Sequence, residues 1–430
     1  MKDTITRRHA LGTLLAAAGL AVTLDACGSS GASGAAATTG PVTFWTLQDP
    51  TNTIQQAQVK SFNSTGHGAV TLDIVATADY LDKLRAAMGS SAMPGLFFSW
   101  GGGNLDQYAA AGKLVDLDPG LESHFLPSAL QAGIYNGKLI GVPMRGTQPV
   151  FIFYNKNVFA KAGLQPPTTY AELTSLVTAF KQKGIIPFTI SGTATNSWTE
   201  LMWIEYLVDR LAGPDLFKKL SGGDWSQWKD PAVLQAAEMV KDLVTSGAFG
   251  TSFASVNYGA GGTSTLLYTG KAAMCLMGSW EYANQAGFSA GFAKNDLGYV
   301  PFPAIPGGTG NVANVVGNPT NYVSVTTAAP SKTAADFLAT TYSTSYLNAL
   351  IGVGEVPVAT NTKPLLAASA DPAYSNFLYD LVSQAPYFTQ SWDQALGETL
   401  ATPMLTQMQE LFNGQVTPQQ FVSNVLAIKG

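Results

Sequence analysis

Four of the eight tryptophans in this chain stand close to side chains that exchange hydrogen bonds. Trp45 precedes Gln48-Asp49, Trp100 leads through three glycines to Asn104, Trp280 is followed by Glu281, and Trp392 by Asp393. That grouping suits a sugar. A sugar ring has a face of C–H groups that packs on an aromatic plane, and an equator of hydroxyls that pairs with planar donors and acceptors. Several such tryptophans imply several sugar subsites, hence an oligosaccharide. Three residues keep a second role open: Trp45, in an alternating strand, serves core or cleft; Asp49 caps the helix after Pro50 or meets ligand; Arg145 is an ion-pair partner or a cleft contact.

The carboxylates raise a rival chemistry. A glycoside hydrolase flanks the scissile bond with two carboxylates about 5–10 Å apart. Glu200 and Glu205 lie five apart on one helix and do not share a face. Glu281 and Asp393 could meet across a cleft, which keeps a secreted carbohydrate-active enzyme as the alternative. Three histidines and two cysteines (Cys27, Cys275) show no zinc-ligand spacing, so neither metal nor cofactor is expected. Gly101-Gly102-Gly103 lacks the Lys-Ser/Thr of a phosphate loop. Net charge is −5 with no basic block, which argues against nucleic acid. Charged residues are 12% of the chain, about half the usual share, so polarity comes from hydroxyls and amides and favours a neutral ligand.

These residues must be held by elements. The 430 residues suffice for two domains. From Val42 onward strand-like runs alternate with helical ones: "VTFWTL", a helix over about 52–63, "VTLDIVAT", "DYLDKLRAAM", "GLFFSW", "NLDQYAAAG". Such a βαβ series predicts parallel pairing with covering helices. "KLIGVPMRGTQPVFIFYN" reads as two strands with an irregular crossing between them. Thr169 with Glu172, and Thr417 with Gln420, have capping-box spacing. Asp230-Pro231 starts a helix that stops at Gly247. The Gly/Pro-rich "FPAIPGGTGN" over 302–311 predicts another crossing. Two α/β lobes joined by several crossings result, and open α/β sheets bind ligands outside the carboxyl ends of their strands. The candidate residues cluster at such ends. Trp203, Trp225 and Trp228 read as structural.

The first residues carry a destination. A basic start with Arg7-Arg8, an apolar run over 10–24 and "LDAC" predict a signal peptide over 1–26, with Cys27 as an acylated N-terminus. The run falls short of the roughly 20 residues of a membrane span. Arg7-Arg8 resembles a twin-arginine export signal. Residues 27–40, rich in Gly, Ser and Ala, form a flexible tether.

The chain resembles the extracellular solute-binding proteins (family 1) of ABC sugar importers, the group that includes maltose-binding and xylobiose-binding proteins. "GVPMRGTQPVFIFYNKNVFAKAGLQPPTTYAEL" and "YTGKAAMCLMGSW" carry the likeness, supported by "LDQYAAAGKLVDLDP" and "SWDQALGETLA" in the same order. The resemblance implies a periplasmic-binding-protein-like fold: two α/β lobes, three crossovers and a hinged interlobe cleft that holds sugar. It implies lobe 1 over 41–146 and 307–357, and lobe 2 over 147–306 and 358–430. Family binding positions fall on Gln48, Asp49, Trp100, Asn104, Arg145, Trp280, Asn318, Trp392 and Asp393, with Trp198 in a variable loop; Trp45 and Glu281 join them as neighbours. The implied protein is a monomeric lipoprotein outside the cell membrane, without catalytic residues. Its expected partners are a neutral mono- or oligosaccharide, the ABC permease subunits and, through Cys27, the lipid membrane.

Overall fold

The computed structural model describes residues 38–49, 51–76 and 79–429. The expected signal peptide, the acylated Cys27 and the tether up to position 37 lie outside them. In chain order the strands are β1 (Pro41–Leu47), β2 (Ala69–Val75), β3 (Leu96–Ser99), β4 (Ile134–Tyr135), β5 (Lys138–Leu139), β6 (Val142–Pro143), β7 (Gln148–Asn155), β8 (Ile186–Thr189), β9 (Ala272–Gly278), β10 (Leu297–Val300), β11 (Val315–Asn318), β12 (Tyr322–Val325) and β13 (Phe388–Gln390). They form two main sheets, ordered β2-β1-β3-β12-β6 and β13-β11-β7-β9-β8, while β10 pairs with β7 and β4 with β5.

The sequence pattern explains the layering. β1 alternates buried and more exposed positions, with Val42, Phe44 and Thr46 inward. β9 is buried at every position, as expected of a strand covered on both faces, and this is why Cys275 sits in an unbroken apolar run. Parallel pairing joins β1 to β2 and β3, β8 to β9, and β11 to β13. In the second sheet β7 runs against β9, β10 and β11. Helix ends follow local chemistry. Capping boxes close at Thr169–Glu172 and Thr417–Gln420, Asp230 accepts from Ala232 N, and Gly247 ends its helix in the left-handed conformation.

The chain passes between the sheets at 144–147, from β6 to β7, and at 319–321, from β11 to β12. A third strand of chain lies beside the first crossing, where Thr147 N donates to Val356 O and Gly146 bridges to Pro357. The crossing expected over 302–311 is not one, because β10 and β11 both belong to the second sheet. That segment folds over the end of the helix Trp198–Ala212. There the buried Arg210 guanidinium donates to the carbonyls of Phe302, Asn311 and Asn314. Glycine is needed for backbone approach: a Cβ at Gly310 would lie 1.8 Å from Asp209 O. Consequently β11, inside the 307–357 stretch assigned to lobe 1, pairs in the second sheet, and the chain returns to the first sheet only at Tyr322.

Candidate functional site

Ligand-ready groups gather where β9, β11 and β13 end and β7 begins, next to both crossings. β9 stops at Gly278, and Trp280 opens the helix Trp280–Phe288 two residues later. A Cβ on Gly278 would sit 2.0 Å from the Trp280 ring, so glycine lets the indole fold back over the strand end. Ser279 pins the junction: its N–H donates to Pro149 O, and its carbonyl accepts from Tyr374 Oη. Trp280 stays half-buried. Trp198 lies with its ring centroid 6.0 Å from that of Trp280, and Tyr258 packs edge-on against Trp198 at 5.0 Å.

These three rings wall a cavity of about 400 Å³, within the range of roughly 300–1,000 Å³ usual for small-molecule sites. Gln148, Asn318, Ser391, Asp393 and Gln394 supply its polar lining, and no lysine or arginine is among the described residues that line it. Asn318 Nδ2 donates to Gln148 Oε1 at 3.2 Å. Burial pushes the Asp393 carboxyl above its ordinary value, while hydrogen bonds from Ser391 and the Gln394 backbone pull it down. A separate depression of about 460 Å³ lies at the opposite end of β7, around Asn155, Lys161 and Asp296, away from the crossings.

Two expected ligand contacts are instead buried. Trp392 is 1% exposed, stacked on Phe217 at 5.0 Å and edge-on to Trp228 at 5.4 Å. Its backbone N–H donates to Glu205 Oε1 at 2.6 Å. The helix Trp392–Ala395 turns Asp393 to the cavity and drives Trp392 into the core. Glu281 is 0% exposed and accepts from Tyr258, Asn284 and Gln285 behind the aromatic wall, so no face of it is open to a sugar. Burial raises its carboxyl, and these hydrogen bonds oppose the rise.

The remaining expected residues sit at the carboxyl ends of the first sheet and do not line this cavity. Gln48 is exposed beyond β1, and Trp45 is half-buried on the face of β1 shared with Pro41 and Thr43. Trp100 is half-buried, edge-on to Phe98 and Tyr80, and its carbonyl accepts from Gln390 Nε2. Asn104 is half-buried in the helix Gly103–Ala110. The glycines before it permit contact between lobes, since a Cβ at Gly103 would lie 2.5 Å from Ala395 O. Asp49 and Arg145 make the structural contacts that were one of the two roles expected of each. Asp49 Oδ1 accepts from Thr51 N and Oγ1 ahead of the helix Asn52–Asn63, while Oδ2 meets Arg145. Arg145 also grips Glu355 through Nε and Nη2. Burial alone would lower the Arg145 pKa, but the two carboxylates hold it above its ordinary value. The guanidinium thus ties β1's end to the crossing.

Sequence reasoning missed Tyr258, Gln148 and Gln394. Tyr258 was findable as an aromatic ahead of Gly259, Gly261 and Gly262, and Gln148 as the first polar residue after the crossing.

A model of bacterial extracellular solute-binding proteins matches residues 45–346. An uncharacterized ABC transporter extracellular-binding protein of Pyrococcus horikoshii is 26% identical over 257 residues, 57% of this chain and 54% of that protein. A xylose/arabinose-binding protein of Haloferax volcanii is 25% identical over 225 residues, 49% of this chain and 46% of its own. The chain thus spans about half the length of the curated relatives it matches. Among solved structures, a chitin oligosaccharide binding protein matches with a TM-score of 0.75 at 26% identity, covering 91% of this chain and 98% of that one.

Proposed function

This chain belongs to the bacterial extracellular solute-binding protein family, and from that membership we propose that it captures a neutral sugar between its lobes and delivers it to an ABC permease. The observation that carries this reading is the cavity at the crossing end of the second sheet. Trp198, Tyr258 and Trp280 offer apolar planes for sugar faces, and Gln148, Asn318, Asp393 and Gln394 offer groups for hydroxyls. The absence of a lining cation among the described residues favours a neutral ligand over a uronate or a sugar phosphate. Two neighbouring indoles favour more than one ring, hence an oligosaccharide. Sugar-binding relatives and a chitin-oligosaccharide-binding structural neighbour support the same class.

The first lobe is taken as 41–146 together with the return through β12 to about 357, and the rest of the folded chain as the second. Trp45, Gln48, Trp100 and Asn104 then meet ligand from the first lobe on closure. Both lobes contribute contacts, so sugar favours the closed form that the permease recognises. Among the described residues the cavity presents one lining carboxylate, Asp393, where glycoside hydrolysis uses two, which favours binding over catalysis. The protein is exported, acylated at Cys27 and held outside the membrane as a monomer, its tether leaving the lobes free to meet the permease.

Calorimetric titration against xylobiose, maltose, chitobiose, glucuronate and glucose 6-phosphate tests the reading. A neutral disaccharide binds and the two anions do not. Tight binding of an anion alone, or release of monosaccharide from any disaccharide, contradicts it.

A further inference from the structure

We infer that Glu281 is a positioning residue that sets the aromatic wall of the cavity through Tyr258. This rests on the reading of that wall as the ligand platform. Glu281 follows Trp280 in sequence, yet its side chain points away from the cavity and is 0% exposed. Its oxygens are divided between two anchors. Oε1 accepts from Gln285 Nε2 at 2.6 Å, and Gln285 Nε2 also donates to Ser264 O at 3.0 Å, which fixes the amide. Oε2 accepts from Tyr258 Oη at 3.0 Å and lies 3.4 Å from Asn284 Nδ2. Asn284 Nδ2 in turn donates to Tyr258 Oη at 2.7 Å. The tyrosine hydroxyl is therefore held by two groups of one helix, and that helix begins at Trp280.

Tyr258 needs such a hold. It stands outside any helix or strand, between the turn Phe253–Ser255 and the helix Thr263–Tyr268. Gly259 and Gly261 follow it with φ of +82° and +72°. Among the described residues its backbone has one side-chain anchor, Asn196 Oδ1 at 3.3 Å. The Tyr258 ring braces Trp198 edge-on at 73°, and Trp198 faces Trp280 at a tilt of 54°. Hydrogen bonding at one end of this series fixes ring geometry at the other. A carboxylate suits the position because every neighbour named presents a donor. A glutamine there would turn an NH2 against one of them.

The bland alternative is an acidic residue in a first helical turn, favourable to the helix dipole. That role needs no contact with Tyr258 and leaves the rings unaffected when the acid is removed.

The test compares the full chain with Glu281→Gln, Glu281→Ala and Tyr258→Phe. Near-UV circular dichroism is recorded with and without Trp198→Phe, so that the difference, the pair signal, reports Trp198 in its contacts with Trp280 and Tyr258. The pair signal is largely lost in the Glu281 variants and in Tyr258→Phe, while the far-UV spectrum stays native. Affinity for whichever of xylobiose, maltose or chitobiose binds the native chain falls roughly tenfold or more. An unchanged pair signal in a folded Glu281 variant overturns the inference. If both Glu281 variants fail to fold, Tyr258→Phe, which removes only a hydroxyl, decides in the same way. If the native chain binds none of the three sugars, the proposed function fails, while loss of the pair signal still supports the positioning role.

Discussion

Trp280 and Trp392 have the same local signature, a tryptophan beside a carboxylate at the start of a helix, and opposite environments. Trp280 walls the cavity, whereas Trp392 is closed in by Phe217 and Trp228 from distant parts of the chain. Short-range sequence carries the residue types and leaves out those partners, so it could not separate the two. Alanine substitution does. Trp280→Ala is expected to weaken sugar binding by about 30- to 1,000-fold, or roughly 2–4 kcal/mol, at a near-native melting temperature. Trp392→Ala is expected to cost roughly 3–5 kcal/mol of stability, read by chemical denaturation. Glu200 makes a different prediction. It is fully buried, neither carboxyl oxygen has a hydrogen-bond partner among the described residues, and burial pushes its pKa to about 9. The folded chain therefore keeps a proton that the unfolded chain releases above about 4.5, and this group lowers stability as pH rises from there to about 9. Glu200→Gln should melt higher than the native chain at pH 8, with the gap closing towards pH 4.5. A gap that stays constant with pH would remove this explanation.

Among the elements, those set by local rules were legible. The capping boxes at Thr169 and Thr417 and the glycine stop at Gly247 need only residues within one turn, and they formed as read. The buried run of β9 was legible because continuous apolar sequence suits a strand covered on both faces. The 302–311 segment was not, because glycine and proline mark chain crossings and close backbone approaches alike. Here the glycines make room for the backbone around Arg210, a demand set by a helix about a hundred residues earlier. Gly278 shows the same kind of demand at the site. A methyl group there would collide with the Trp280 ring, so Gly278→Ala should shift tryptophan emission and weaken sugar binding. Native emission and affinity in that variant would show that the indole does not depend on the glycine.

At the scale of the molecule, alternating strands and helices were enough to expect two α/β lobes, because each amphipathic helix must cover a sheet. Strand-to-sheet assignment was less legible: β11 and β12 are three residues apart and belong to different sheets. Two crossings and the neighbouring segment at Val356–Pro357 join the lobes, with Arg145 holding Asp49 and Glu355 beside them. Export and anchoring also belong to this scale. Cys27→Ala is expected to move the protein from the membrane fraction to the medium, because a diacyl anchor holds far more firmly than a single chain. An unchanged membrane fraction would show that Cys27 does not anchor the protein. Sugar is expected to draw the two lobes together over the Trp280 cavity. Small-angle scattering of the native chain, with and without a saturating amount of the disaccharide that binds it, measures this directly. The radius of gyration is expected to fall with sugar; an unchanged radius at saturation would contradict lobe closure.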